Sequence, residues 1–328
     1  MRTARLGRTD VEVTELGLGS GPLGGLFAPL DDATAADTLQ AAWDCGIRYF
    51  DTAPHYGIGH AERRVGALLA RRPPSAFTVS TKVGRLLVPQ NADGRRDPHF
   101  HVPATHRRVW DFSRTGVRAS VEDSLQRMGL DRVDVLFLHD AENHFTHALE
   151  EGYPALAELR EQGRVGAIGA GMHDTALLTR LVRECDVDVV MVSGRLTLLD
   201  HSALGELVPA CASRGVSILA ASVFNSGLLA EAEPGAGSAP YDYAPAAPHV
   251  LQRARRIAEV CAAHDVSLLQ AALAFPLRHP AVAGVVAGMR SAAEVRADAA
   301  AFATAVPERL WEDLRTAGLI DARAARGR

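Results

Sequence analysis

The sequence predicts a (β/α)8 barrel. Three observations carry this: eight short apolar runs of strand length, helical patterns between them, and no break in composition along 328 residues. Most of the runs are continuous rather than alternating, as in strands buried on both faces. Strand and helix repeated eight times describe one α/β domain over residues 1–328, and eight is the number that closes a parallel barrel. An open doubly wound sheet is the structural alternative.

The elements follow in chain order. "TARLGRTDVEVT" reads as a hairpin turning at Arg8, Thr9 and Asp10 ahead of the first run, "ELGLGS" (15–20). "GSGPLG" (19–24) matches the glycine spacing of a dinucleotide-binding turn, but in that motif the third glycine opens a helix. Here Gly25, Pro29 and two aspartates intervene, so the stretch reads as a glycine-rich turn close to a ligand's backbone. "DDATAADTLQAAWDCG" opens on acids and closes on Gly46, which are helix start and stop signals. "GIRYFDT" (46–52), "FTVST" (77–81) and "VDVLFLH" (133–139) are the next strands, and "SRTGVRASVEDSLQRMGL" is a helix before the last of them. "VGAIGAG" (165–171), "VDVVMVS" (187–193), "VSILAAS" (216–222) and "VAGVVAG" (282–288) complete the eight, with "ALEEGYPALAELREQG" and "SALGELVPACASRG" as helices among them.

Two long segments interrupt the repeat. Residues 84–113 are rich in Gly, Pro, His and Arg, and 231–249 in Gly, Pro and Ala. Connections of that length are commonly functional. In a barrel both would overhang the mouth at the C-terminal ends of the strands. They bring Phe100, Trp110, Tyr241 and Tyr243 within reach of it, and flat rings suit the apolar face of a sugar or a pyridine.

The formal net charge is -4, with no long basic run, which points away from nucleic acid and anionic membranes as partners. Four scattered cysteines without a C-x-x-C, and an N-terminus without the apolar core of a signal peptide, suggest a cytoplasmic protein with reduced thiols. No apolar run reaches the ~18–20 residues of a membrane span. "HFH" (99–101) has a metal-binding spacing but sits in a long loop, and His60, His106, His144 and His147 form no ligand pattern, so no metal is expected. The sequence carries no signal for oligomeric state.

Of 35 basic residues, only Lys82 is lysine. A compact ammonium at one position suggests a role that guanidinium does not serve. Lys82 ends the third strand, Asp51 the second and His139 the fourth, and Tyr56 follows Asp51 by five residues. Adjacent strands of a barrel bring these four to one mouth. A free phenol has a pKa near ~10. A neighbouring ammonium lowers it, a carboxylate keeps the ammonium charged and directed, and a histidine orients the substrate oxygen. The set suits reversible carbonyl–alcohol exchange, with hydride from a cofactor because no side chain supplies one.

In order along the chain stand "LGLGS" with "LGG", "GIRYFDTAPHYGIGHAERRVG", "VSTKVG", "SLQRMGLDRVDVLFLHD", "GRVGAIGAG" and "VAGMRSAAEV". Through them the sequence resembles the aldo-keto reductases from end to end. The resemblance implies an NAD(P)-dependent oxidoreductase of the CH–OH class, with Tyr56 as acid/base, Asp51 and Lys82 setting its pKa, and His139 positioning the substrate. "VWDFSRTG" (109–116), "SGRLTLLDHSAL" (193–204) and "SVFNSGLL" (222–229) resemble the branch that holds D-threo-aldose (L-fucose) 1-dehydrogenases and pyridoxal 4-dehydrogenases.

By that resemblance Gly21 and Asp51 lie beside the nucleotide, and Ser222, Phe224, Asn225, Ser226, Gly227 and Leu228 hold its pyrophosphate. Gly288, Arg290, Glu294 and Asp298 meet the adenosine end. Gly171-Met172 and Ser193 replace the family's Ser-Asn and Gln at the nicotinamide amide, where His173 is a partial substitute. Glu294 stands where phosphate-selective relatives carry arginine, so NAD is expected, with NADP usable. Trp110 and His139 are the expected substrate contacts. The expected reaction is oxidation of an aldose hemiacetal to a lactone. Pyridoxal oxidation and general aldehyde or ketone reduction are the alternatives within the class. A nucleotide-binding redox-sensing partner subunit is the alternative outside it.

Overall fold

The computed structural model describes residues 1–236, 240–242 and 244–324. Eight strands lie within or beside the apolar runs: β1 (Leu16–Gly19), β2 (Tyr49–Asp51), β3 (Thr78–Val83), β4 (Val135–His139), β5 (Ala167–Met172), β6 (Val189–Ser193), β7 (Ser217–Ala221) and β8 (Val282–Gly288). Each pairs in parallel with the next and β8 returns to β1, closing the barrel. The open doubly wound alternative is thereby excluded.

The strands are apolar throughout because both faces are covered. Inward side chains, among them Tyr49, Val135, Phe137, Val189, Leu219 and Val286, form one buried cluster. Leu6 and Val13 join that cluster from the N-terminal hairpin, whose strands Thr3–Arg5 and Glu12–Thr14 pair antiparallel beneath it. Outward side chains pack against the surrounding helices in a second, larger core.

Helix signals resolve as expected. α1 (Asp32–Asp44) starts where the Asp31 carboxylate accepts the Thr34 amide, and the chain leaves through Gly46 at φ 86°. α2 (His60–Leu69) follows β2, and α3 (Arg114–Met128) is capped by Ser113 and ended by Gly129 at φ 64°. Among the described residues no helix is long and apolar enough to cross a membrane.

Residues 84–113 differ from a plain loop. Arg85–Pro89 pairs antiparallel with His106–Trp110, and the tip between them folds back on itself through an Arg96–Pro103 bridge. Trp110, paired with Arg85 in that hairpin, is stacked against its guanidinium at 4.3 Å.

Candidate active site

β2, β3 and β4 end side by side, and this register assembles the polar centre. Lys82 Nζ donates to Asp51 Oδ2 at 2.6 Å and to the Thr52 carbonyl at 3.0 Å. The other Asp51 oxygen accepts from Ser80 Oγ at 2.7 Å, and Ser80 Oγ shares a 2.9 Å hydrogen bond with the hydroxyl of Tyr49. Lys82 and Asp51 are about as buried as each other, with side chains 2% and 3% exposed. A buried ion pair of this kind tolerates neither partner alone, because the survivor would be an uncompensated charge. Lys82 Nζ lies 4.7 Å from the centroid of the Tyr56 ring, and the His139 ring stands perpendicular to Tyr56 at 5.7 Å.

His139 is neutral here. Burial, helped by Arg85 and Lys82, holds its pKa well below the usual imidazole value. It can therefore donate one hydrogen bond without bringing a charge. Asp140 beside it has its pKa raised by burial, against the pull of the Arg85 guanidinium to which it is bonded. Its backbone is left-handed at φ 42°, a conformation that costs energy outside glycine and is commonly retained where function requires it.

Tyr56 is set in place by backbone contact. The turn after β1 runs through Pro22–Gly24, and a Cβ added at Gly24 would meet the Tyr56 carbonyl carbon and the Gly57 amide at 2.7 Å. Gly57 itself has φ 59°, and a Cβ there would meet the Gly24 carbonyl oxygen.

A cavity of about 800 Å3 opens on this centre. Asp51, Tyr56, Lys82 and His139 line one part of it. Gly21, Gly171, Ser193, Ser222, Phe224, Asn225, Ser226 and Gly227 continue the wall, and Gly288, Arg290, Glu294 and Asp298 end it. Of the residues expected at the nucleotide or the substrate, Leu228, Trp110 and Tyr241 are not in its lining. Leu228 is wholly buried in the outer core, where an apolar side chain gains most. Trp110 is 39% exposed and is not part of the lining; its ring stacks on Arg85, which is bonded to the lining residue Asp140, and lies 4.9 Å from that of His144. Phe100 does line the cavity, while Tyr241 is half-buried against the outer core. Tyr243 lies outside the described residues.

Several lining residues were not singled out by sequence reasoning, His55, Asp140, Gly194 and Asp242 among them, and His99 of the "HFH" stretch lines the cavity too. His55 adjoins Tyr56 in "APHY", the one available signal. Asp242 comes from the second long segment and pairs with Arg195 at 2.9 Å. The possible amide substitute, His173, is close to Ser193: its Nδ1 is 3.1 Å from the Ser193 carbonyl, and Ser193 Oγ is 2.9 Å from Ser222 Oγ.

Residues 15–317 match the model of the aldo/keto reductase family. The chain belongs to the aldo/keto reductase family. It is 47% identical over 314 residues to D-threo-aldose 1-dehydrogenase of a Pseudomonas species, covering 94% of this chain and 95% of that one. It is 40% identical over 335 residues to pyridoxal 4-dehydrogenase of Microbacterium luteolum, covering 96% and 97%. An aldo-keto reductase structure from Bacillus halodurans superposes with a TM-score of 0.79, covering 98% of this chain and 97% of that one, at 24% identity, which speaks for the fold. This aldo/keto reductase is accordingly an oxidoreductase, and its polar centre lies at the C-terminal rim where barrel enzymes carry their chemistry.

Proposed function

We propose that this chain is an NAD(P)-dependent aldose 1-dehydrogenase that oxidises sugars of the L-fucose or D-threo-aldose type at C1, giving the lactone. The observation that carries it is the grouping of Asp51, Lys82, Tyr56 and His139 on one cavity, in a chain 47% identical to a D-threo-aldose 1-dehydrogenase.

The residues present suit a nicotinamide dinucleotide. Asn225 is 2% exposed, and its Oδ1 is buried without a partner among the described residues, which leaves it an acceptor to be completed. Ser222, Asn225 and Ser226 take left-handed backbone, a cost that supports a binding role for this turn. Ser222, Phe224, Asn225, Ser226 and Gly227 would hold the pyrophosphate, and Gly288, Arg290, Glu294 and Asp298 the adenosine. Gly171, His173 and Ser193 would face the carboxamide. When bound, the nicotinamide supplies hydride exchange with the substrate carbon.

The chain's own residues handle the proton. Tyr56 takes the proton of the C1 hydroxyl at its phenol oxygen during oxidation and returns it during reduction. Lys82 stabilises the phenolate and so lowers the phenol pKa. Asp51, fixed by Ser80, keeps the ammonium charged and aimed. Neutral His139 donates to the substrate oxygen and orients it.

Glu294 supports NAD as the favoured nucleotide, since a carboxylate suits a ribose 2′-hydroxyl and repels a 2′-phosphate. Arg290 close by makes NADP usable. Titration of protein fluorescence with NADH and NADPH tests this, and roughly ten-fold tighter NADPH binding, about 1.4 kcal/mol, would show that Arg290 governs. Pyridoxal is the second substrate reading, supported by the 40% identity to a pyridoxal 4-dehydrogenase. A panel of L-fucose, D-arabinose, L-galactose and pyridoxal, followed by nucleotide reduction with NAD and NADP, is the direct assay. Inactivity on all four at millimolar concentration removes both readings.

A further inference from the structure

The cations at the substrate end of the cavity are already matched. Lys82 is held by Asp51, Arg85 by Asp140 and Arg108 by Asp97. Selection among substrates there falls to hydrogen bonds and shape. His55 is the side chain best placed for that work, and the proton chemistry above gives it no task. It lines the cavity one residue before Tyr56. Its ring centroid is 6.2 Å from that of Tyr56 and 5.7 Å from that of His139. Phe100 meets it edge-on at 5.2 Å, and His99 is 5.6 Å away.

The ring is held by a small scaffold. Arg108 Nη2 donates to the His55 carbonyl at 3.0 Å, and the same guanidinium is clamped on Asp97. Asp97 Oδ1 in turn accepts the amides of His99 and Phe100, at 3.0 Å each. The tip of the rim hairpin is thus fixed against the Tyr56 loop through His55. The His55 Nδ1 is closed off from solvent and meets no partner among the described residues. Such an orphan costs free energy, and it is retained here on a ring that lines the cavity. Burial, with Arg85 and Arg108 next, pushes the imidazole pKa down to about 2, so the ring keeps one donor and one acceptor.

We infer that His55 reads a hydroxyl on the carbon next to the reacting one, and so makes the enzyme prefer hydroxylated substrates to plain aldehydes. The position follows from the contacts: a ring beside both Tyr56 and His139 borders the substrate oxygen that those two hold. The inference rests on the oxidoreductase reading of the site and not on the sugar assignment.

Lactaldehyde and propanal differ only by that hydroxyl. The quantity to measure is the ratio of their kcat/KM values in reduction with NADH, for the wild type, His55→Phe and His55→Asn. A buried polar group that loses its hydrogen-bonding partner discriminates by about ten-fold, so the ratio should fall by that amount in His55→Phe, mainly through the lactaldehyde KM. His55→Asn keeps a donor and an acceptor near Nδ1 and should recover part of the ratio. If His55→Phe does not fold, as judged by circular dichroism, His55→Ala carries the same expectation. A wild type without preference for lactaldehyde overturns the inference, and so do variants in which both substrates suffer alike. A wild type that prefers lactaldehyde yet oxidises no aldose would remove the sugar assignment and leave the role of His55 standing.

Discussion

Lys82 is where charge and geometry can be separated. If it were only the cation that balances Asp51, Lys82→Arg would be nearly harmless. Guanidinium is planar and spreads its charge over three nitrogens, so it cannot present one compact charge beside the phenol. With the pair 2.6 Å apart and buried, there is also little room for it. A displaced general acid/base costs about 10²–10⁴-fold in rate. Lys82→Arg should lose kcat in that range, Tyr56→Phe at least as much, and the double variant scarcely more than Tyr56→Phe alone, because the residues act as one unit. Additive losses in steady-state kinetics would separate the two residues. Behind them, Ser80 holds the second Asp51 oxygen. Ser80→Ala should move the pH profile of kcat, whereas a purely structural serine would lower stability and leave the profile in place. Asp51, Lys82 and His139 were legible because each has a distinctive chemistry at the end of an apolar run, and Tyr56 because it follows Asp51 in the next loop. His55 was not, since its neighbours come from a hairpin some forty residues away, and only the folded rim brings them together.

At the level of elements, the strands were legible for a single reason: a parallel strand buried on both faces must be apolar along its length. β2 is the shortest in this set, Tyr49–Asp51, and still stood out because "GIRYF" precedes a cluster of turn residues. Residues 84–113 were harder. "RLLVP" and "HRRVW" carry no clear alternation, and nothing local shows that they pair across sixteen residues, so the segment read as a long loop when it is a hairpin with Arg85 opposite Trp110. The glycine turn after β1 lines the cavity with Gly19 and Gly21, and on its other side the Tyr56 loop lies 2.7 Å from a would-be Cβ at Gly24. That contact makes a further prediction. Gly24→Ala should push the Tyr56 loop outward, destabilising the fold by about 1–3 kcal/mol as overpacking does. A misplacement of about 1 Å costs near 10²-fold in catalysis. The rate loss should thus exceed what the thermal shift implies, and a variant with lowered Tm but wild-type kcat would show that the turn supports the fold alone.

The whole molecule carries a consequence of how it buries imidazole. Three histidines have pKa values far below the ordinary one: His55 at about 2, His201 at about 4 and His139 lower still than the usual range, in each case with burial as the first cause. Below the unfolded value of about 6.5, the unfolded chain binds protons that the folded chain refuses, so stability falls as pH drops. Two carboxyls oppose this. Burial raises Asp298 to about 7 and also raises Asp140, so between the unfolded carboxylate value and these the folded chain is the one that holds the proton. Burial also lowers His60 and His106, so the histidines outnumber the two carboxyls and leave a net loss, and one unopposed group is worth about 1.4 kcal/mol per pH unit. The urea midpoint should therefore fall between pH 6.5 and pH 5, before ordinary carboxylates begin to protonate. His201 allows the cause to be isolated, because it sits away from the cavity against Phe275, facing Arg253, Asp321 and Asp200. His201→Gln cannot titrate, so it should flatten the profile by up to that same slope while leaving nucleotide binding intact. A midpoint that holds steady or rises down to pH 5 would mean that the buried carboxyls, and not the histidines, set the acid limit of this fold.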